Sequence, residues 1–188
     1  MAGLDAAITG LRIGDNVVWQ CSNLDDFTRI LIPFLRSARA QGRRLVYVRF
    51  ASHDPFVGGD DVEEHVLDPA AGFEPFATAV HDLIAAAGPR AFYVFDSLAE
   101  LRDAWHSDLM VMNFFKVTCP FLYELDTIAY FPLLRDETTL ATLAGIRETT
   151  QVLFDLQVAD DEVYVHPLKV DGRSSPTMFF PHHIRDTE

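Results

Sequence analysis

The chain has 188 residues, 49% of them hydrophobic, with 15 Phe, which is enough apolar material for a sizeable core in one domain spanning 1–188 and excludes a disordered chain. Its 28 acidic residues against 15 Lys and Arg give a net charge of −13, and with Lys116 and Lys169 as the only lysines it has no basic surface for a nucleic-acid backbone or an anionic membrane. No apolar run reaches the length of a membrane span, the first residues lack a signal-peptide pattern, and Cys21 and Cys119 each lie in apolar surroundings; a soluble cytoplasmic protein without a disulfide framework is expected.

Val17 to Cys21 reads as a strand. Phe27, Ile30, Leu31, Phe34, Leu35 and Ala38 then mark one face at helical spacing, with Ser22 or Asn23 as the cap, Pro33 as a bend and Gly42 as the stop. Leu45 to Val48 with Phe50 reads as a second strand and 52–68 as a loop containing Gly58-Gly59-Asp60-Asp61. Phe76, Val80, Leu83, Ile84 and Ala87 line a helix stopped by Gly88-Pro89. Ala91 to Phe95, apolar on both faces, reads as a central strand of a parallel sheet. A helical region interrupted by Pro120 runs from Asp96 to about Leu125, and Thr127 to Leu134 supplies a further strand. Thr138 or Thr139 caps a last helix through Leu140, Leu143, Arg147, Thr150 and Phe154. Val163 to Val170, the turn residues 171–176 and Thr177 to Phe180 make a terminal hairpin. The alternation predicts a three-layer α/β fold, its sheet mainly parallel with an antiparallel edge at the C-terminal end.

Two local patterns bear on chemistry. The apolar run Phe92 to Phe95 ends in Asp96-Ser97, as a strand does at a nucleotide site. The turn from Cys21 into Ser22-Asn23-Leu24-Asp25-Asp26 has neither the glycines that would aim backbone N–H groups at phosphates nor a lysine to neutralise them. Asp25 and Asp26 fall in the first turn of the helix, where they satisfy its dipole and repel a triphosphate. Asp96 is the natural holder of a metal or polar ligand at the carboxyl ends of the strands, but capping the following helix is the stronger expectation. Zinc at His166, His182 and His183 is disfavoured, because the adjacent pair points to opposite faces of an extended chain. A Cys119 nucleophile working with His81 or His106 is likewise disfavoured, because Pro120 and its apolar neighbours suggest a packed bend.

Gly14 to Trp19, Phe92 to Ser97 and Leu168 to Pro176 resemble, in order, the first strand, the second phosphate-site strand and the late hairpin of the RecA-like ATPase fold, within its KaiC-like branch. Arg43 to Ala51, Asn113-Phe114-Phe115, Thr118-Cys119-Pro120, Tyr164 to Val170, Ser175 to Phe179 and Pro181-His182, together with Gly14 to Trp19 and Phe92 to Asp96, resemble the N-terminal region of bacterial phosphoenolpyruvate synthase-like, or pyruvate phosphate dikinase-like, proteins. The resemblance implies a RecA-like sheet, a basic hairpin tip directed at a neighbouring subunit, and a partner or adjoining phosphotransfer domain handling phosphoenolpyruvate, pyruvate or phosphohistidine. The family's phosphate loop and its pair of Glu after the second strand are absent: Arg49-Phe50-Ala51-Ser52-His53 stands in the latter place.

The expected function is therefore a non-catalytic regulatory, sensory or assembly module, self-associating or bound to a protein partner, with a degenerate nucleotide site, no catalytic residues, no metal and no resident cofactor. The alternative is an enzyme or enzyme subunit that binds a nucleotide or small metabolite without a standard phosphate loop. Its cleft would be formed by Asp96, Ser97, Asp126, Lys169 and Arg173.

Overall fold

The structure is a computed structural model that describes residues 2–59 and 62–184. Its elements in chain order are α1 (Ala2–Ile8), β1 (Asn16–Cys21), α2 (Leu24–Ala40), β2 (Leu45–Arg49), β3 (Val62–Val66), α3 (Phe73–Ala87), β4 (Phe92–Asp96), α4 (Leu98–Trp105), α5 (Asp108–Glu124), β5 (Ile128–Leu134), α6 (Leu140–Thr149), β6 (Val152–Ala159), β7 (Glu162–Val170) and β8 (His182–Ile184). The strands form one sheet in the order β3-β2-β4-β5-β1-β6-β7-β8. The first six run parallel, and the β6–β7 and β7–β8 pairs are antiparallel.

This order fixes the layers. The connection from β1 to β2 travels toward the β3 edge, whereas those through α3, through α4 and α5, and through α6 travel the opposite way, so right-handed crossovers place the helices on opposite faces. One face packs against α1 and α2 through Leu4, Ile8, Phe27, Ile30, Leu31 and Phe34. The other packs against α3 to α6 through residues including Phe76, Ile84, Phe114, Phe115 and Ile146. Alternate residues of a strand serve the two faces: Val17 and Trp19 join the first cluster and Val18 the second. The six buried residues of α2 are those of the helical stripe read from the sequence, each worth about 1.5–3 kcal/mol of burial for its large members. No described helix is long and apolar enough to cross a membrane.

Several local expectations are corrected. The 52–68 stretch contains β3, whose Val-Glu-Glu-His-Val sequence is held at the sheet edge by pairing with β2 and by the Arg44–Glu63 (2.5 Å) and Arg49–Glu64 (3.5 Å) contacts rather than by burial. Asp60 and Asp61 of that stretch lie outside the described residues. Pro120 does not interrupt α5. The break falls earlier, where His106 turns left-handed (φ 48°) and the Ser107 side chain accepts the Met110 N–H to start a new helix. The last helix stops at Thr149, and Phe154 belongs to β6, whose first five residues are all buried. The two-residue hairpin therefore joins β6 and β7 through Asp160 and Asp161, both at positive φ (51° and 64°) as a tight primed turn requires. Residues 177–180 form a turn, and β8 follows it as the last strand.

Candidate site at the carboxyl end of the sheet

Neighbouring β2 and β4 part company at their carboxyl ends. The chain leaving β2 lays Phe56 and Val57 on the α2 face, while the chain leaving β4 enters α4 on the other. Such a divergence at the carboxyl ends of the strands is the usual ligand position in an open α/β sheet. Asp96 ends β4 there and is fully buried (0% exposed). Its Oδ2 accepts a hydrogen bond from the Tyr47 hydroxyl, and its Oδ1 lies 3.0 Å from Nε2 of His53. Burial pushes the Asp96 carboxyl above its ordinary value, against the opposing pull of Tyr47, His53 and Arg49. Burial, and then the hydrogen bond to Asp96, raise the Tyr47 hydroxyl, so it stays protonated and donates.

The His53 geometry restricts the proton inventory. Nδ1 lies 2.8 Å from the Asp54 carbonyl, which only accepts, so Nδ1 carries hydrogen. The Nε2–Oδ1 contact is then a hydrogen bond only if one further proton is present, on the imidazole or on the carboxyl. The site is thus a buried carboxyl, a phenol donor and a partly exposed imidazole in mutual contact, with Ser52 hydrogen-bonded to Glu100 (3.2 Å) beside them. Asp96 does not cap α4. Ser97 occupies the N-cap position, without a side-chain cap bond and after a cis peptide.

A second part of the carboxyl end lies at the β1–α2 turn. Asn23 accepts the Asp26 N–H at 2.8 Å, and Asp25 and Asp26 stand in the first turn, so the anion-seeking end of α2 is already provided for by the chain itself. Beside Cys21, Arg135 at the end of β5 reaches Asp155 of β6 with Nη1 to Oδ1 at 2.6 Å, an electrostatic contact not aligned as a hydrogen bond, and gives Nη2 to the Leu156 carbonyl at 3.3 Å. Burial pushes the Cys21 thiol up to about 12, so it is no thiolate at neutral pH.

The other predicted cleft residues are elsewhere. Asp126 forms the left-handed turn (φ 55°) that feeds the amino end of β5. Lys169 gives its ammonium to the carbonyls of Arg147 (2.7 Å) and Thr150 (2.6 Å), closing the end of α6. The Arg173 side chain is buried (1% exposed) and forks onto Asp15 at the start of β1, at 2.8 and 2.9 Å. The fold therefore brings Asp96 and Ser97 together at the carboxyl end and puts Asp126, Lys169 and Arg173 at the amino end. The two basic groups expected at a hairpin tip bind their own chain. Among the described residues no three His, Cys, Asp or Glu side chains converge for a metal. His166 instead contacts the Phe179 carbonyl at 2.9 Å, and His183 stacks on Tyr164. Cys119 is fully enclosed, its thiol raised by burial, while His81 stacks on Phe121.

Tyr47, His53, Arg135 and Asp155 were not among the sequence candidates. Tyr47 reads as an ordinary strand residue, and Asp155 directly follows Phe154, the last residue of a helix-spaced pattern. His53 alone gave a local signal, a histidine four residues past the end of a strand. Neither known protein-family models nor curated proteins match this chain.

Proposed function

We propose that the chain is a non-catalytic regulatory, sensory or assembly module of the RecA-like, KaiC-like type, with a degenerate nucleotide site. The observation that carries the reading is the β1–α2 turn. No glycine and no lysine lie in it, Asn23 takes a first-turn N–H, and Asp25 and Asp26 provide negative charge where a triphosphate would need positive. The Arg135–Asp155 pair beside that turn supports the same reading, because its cation is neutralised within the chain. Support for the fold assignment comes from the central position of β1 between β5 and β6 and from the carboxyl-end position of Asp96. The segments resembling phosphoenolpyruvate synthase-like proteins make a phosphotransfer domain the natural partner to try first.

Calorimetric titration of the full chain with MgATP, with its mass in solution recorded before and after, tests this. The expected result is no saturable heat at about 1 mM nucleotide. Micromolar binding overturns the reading.

The Tyr47–Asp96–His53 cluster favours a second reading, an enzyme or enzyme subunit taking a small metabolite at the carboxyl ends of β2 and β4. A buried carboxyl in contact with an imidazole and a phenol is the kind of grouping that acid–base chemistry uses. Saturable ligand stabilisation that disappears in Asp96→Asn would favour it over the first.

A further inference from the structure

A second concavity lies at the opposite end of the sheet from Asp96. It is a cavity of about 370 Å³, smaller by roughly a quarter than the groove of about 490 Å³ between α3 and α5, and falls in the range of about 300–1,000 Å³ typical of small-molecule sites. Helix α2 forms one wall, the amino ends of β4 and β5 the floor, and the segment after α1 the other wall. The floor is aromatic: Phe34 stacks on Tyr130 at 3.9 Å and on Phe92 at 5.3 Å. Leu11 and Ile13 add aliphatic surface, and Ile13 is 42% exposed.

Two polar groups in this cavity await an acceptor. The Tyr130 side chain is buried (1% exposed), yet its hydroxyl has no hydrogen-bond partner among the described residues. The hydroxyl is open to the cavity rather than sealed in the core, so an acceptor arriving there would take a hydrogen bond that the described residues do not supply. Arg43 lines the same cavity, 5.6 Å above the Phe92 ring, and among the described residues its side chain makes one hydrogen bond, from Nε to Gln41 at 3.4 Å. The guanidiniums of Arg29, Arg44, Arg102, Arg135 and Arg173 meet carboxylates, but among the described residues none pairs with that of Arg43. The Arg43 guanidinium therefore stands beside the ring floor with its terminal nitrogens not engaged by a carboxylate, although Asp5 lines the same cavity.

We propose that this cavity binds a small planar aromatic carboxylate. Its ring packs against the Phe34, Phe92, Leu11 and Ile13 surfaces, its carboxylate takes the terminal nitrogens of Arg43, and an acceptor oxygen takes the Tyr130 hydroxyl. Asp5 also lines the cavity and sets against a second negative charge, so the ligand is a monoanion. The site lies away from the carboxyl ends of β2 and β4 and does not depend on the nucleotide reading.

The test is calorimetric titration of the full chain with 4-hydroxybenzoate and 2-naphthoate, each compared with its neutral carboxamide. At least one acid should bind saturably below about 1 mM, and its amide should bind at least about tenfold more weakly. Arg43→Gln should weaken the acid at least about tenfold, Tyr130→Phe should weaken it severalfold, and Ile13→Trp, an exposed position at the cavity, should block it. Cooperative melting of each variant is the control for folding. The proposal is overturned if neither acid binds at about 10 mM, if acid and amide bind alike, or if Arg43→Gln binds as the wild type does.

Discussion

Replacing Arg173 by Met removes a guanidinium that makes two bonds to Asp15 (2.8 and 2.9 Å), one to the Gly10 carbonyl (2.9 Å) and one to the Asp171 carbonyl (3.1 Å). Both members of the pair are almost wholly buried, with side chains 1% and 5% exposed. The substitution leaves Asp15 as a buried charge with the Arg12 N–H at 2.7 Å as its remaining support. Breaking a buried pair from one side costs about 3–5 kcal/mol, and the retained Arg12 bond places this case near about 3. For a chain of this size that is a fall in melting temperature of about 6–12 °C, measured together with urea denaturation at neutral pH. The double variant Asp15→Asn with Arg173→Met should lose less than the sum of the single losses, by about 1–3 kcal/mol, because neither charge is then stranded. A solvated hairpin arginine would cost no more than about 0.5 kcal/mol. A loss below about 1 kcal/mol, or additive single effects, would refute the claim that Arg173 clamps the 171–176 segment to the start of β1.

Asp96 gives a pH signature. Burial raises its carboxyl in the native state, so the fold holds that proton more tightly than the unfolded chain, and the resulting stabilisation is present below the ordinary value of 3.8 and lost as pH rises through the raised native one. Asp96→Asn should flatten that decline, so the urea midpoint of the variant relative to wild type should rise with pH from about 4 upward; a parallel offset at every pH would contradict it. Gly145→Ala should destabilise by about 1–3 kcal/mol in thermal melting, because the added Cβ collides with Met112 Sδ and lies 2.7 Å from its Cγ, and Met112→Ala should restore part of the loss. His53→Ala should speed amide hydrogen exchange across 50–57 while the midpoint of global unfolding moves by less than about 1 kcal/mol, since His53 ties that segment to Asp96 without belonging to the core. Thr139→Ala should cost about 0.5–2 kcal/mol in urea denaturation, because Thr139 accepts the Thr142 N–H (3.2 Å) and bonds Asp108 (2.7 Å).

What the sequence revealed depended on whether its signal was local. The α2 stripe, its Asn23 cap and the all-apolar run of β4 are written in neighbouring residues, and each forms as read. Strand β3 is not written that way: its polar residues belong to an edge whose pairing is decided by β2. Phe154 matched a helical period by coincidence, and only the β1–β6 pairing turns it into a strand residue. The candidate site divides similarly. Asp96 was legible as the polar end of a buried strand, and the missing phosphate cradle as an absence of Gly and Lys in one turn. Tyr47 and His53 come to Asp96 from another strand and its loop, and no local pattern marks that meeting. Lys169 and Arg173 look basic and accessible in a turn-rich segment, but their partners, the end of α6 and Asp15, are far away in the chain.

The place of β1 in the sheet also has a consequence for the birth of the protein. Its two neighbours, β5 and β6, are more than a hundred residues further along the chain. A ribosome extruding the chain releases β1 early and both its neighbours late, so Val17, Val18 and Trp19, all wholly buried in the finished sheet, stay without their strand partners through most of synthesis. The pairing that completes the sheet's centre closes loops of more than a hundred residues and forms only late, so it is limited by topology rather than by helix propensity. Until then the β2–β3–β4 group, local in sequence, is the part of the sheet able to assemble, and the apolar first strand is what a chaperone would meet.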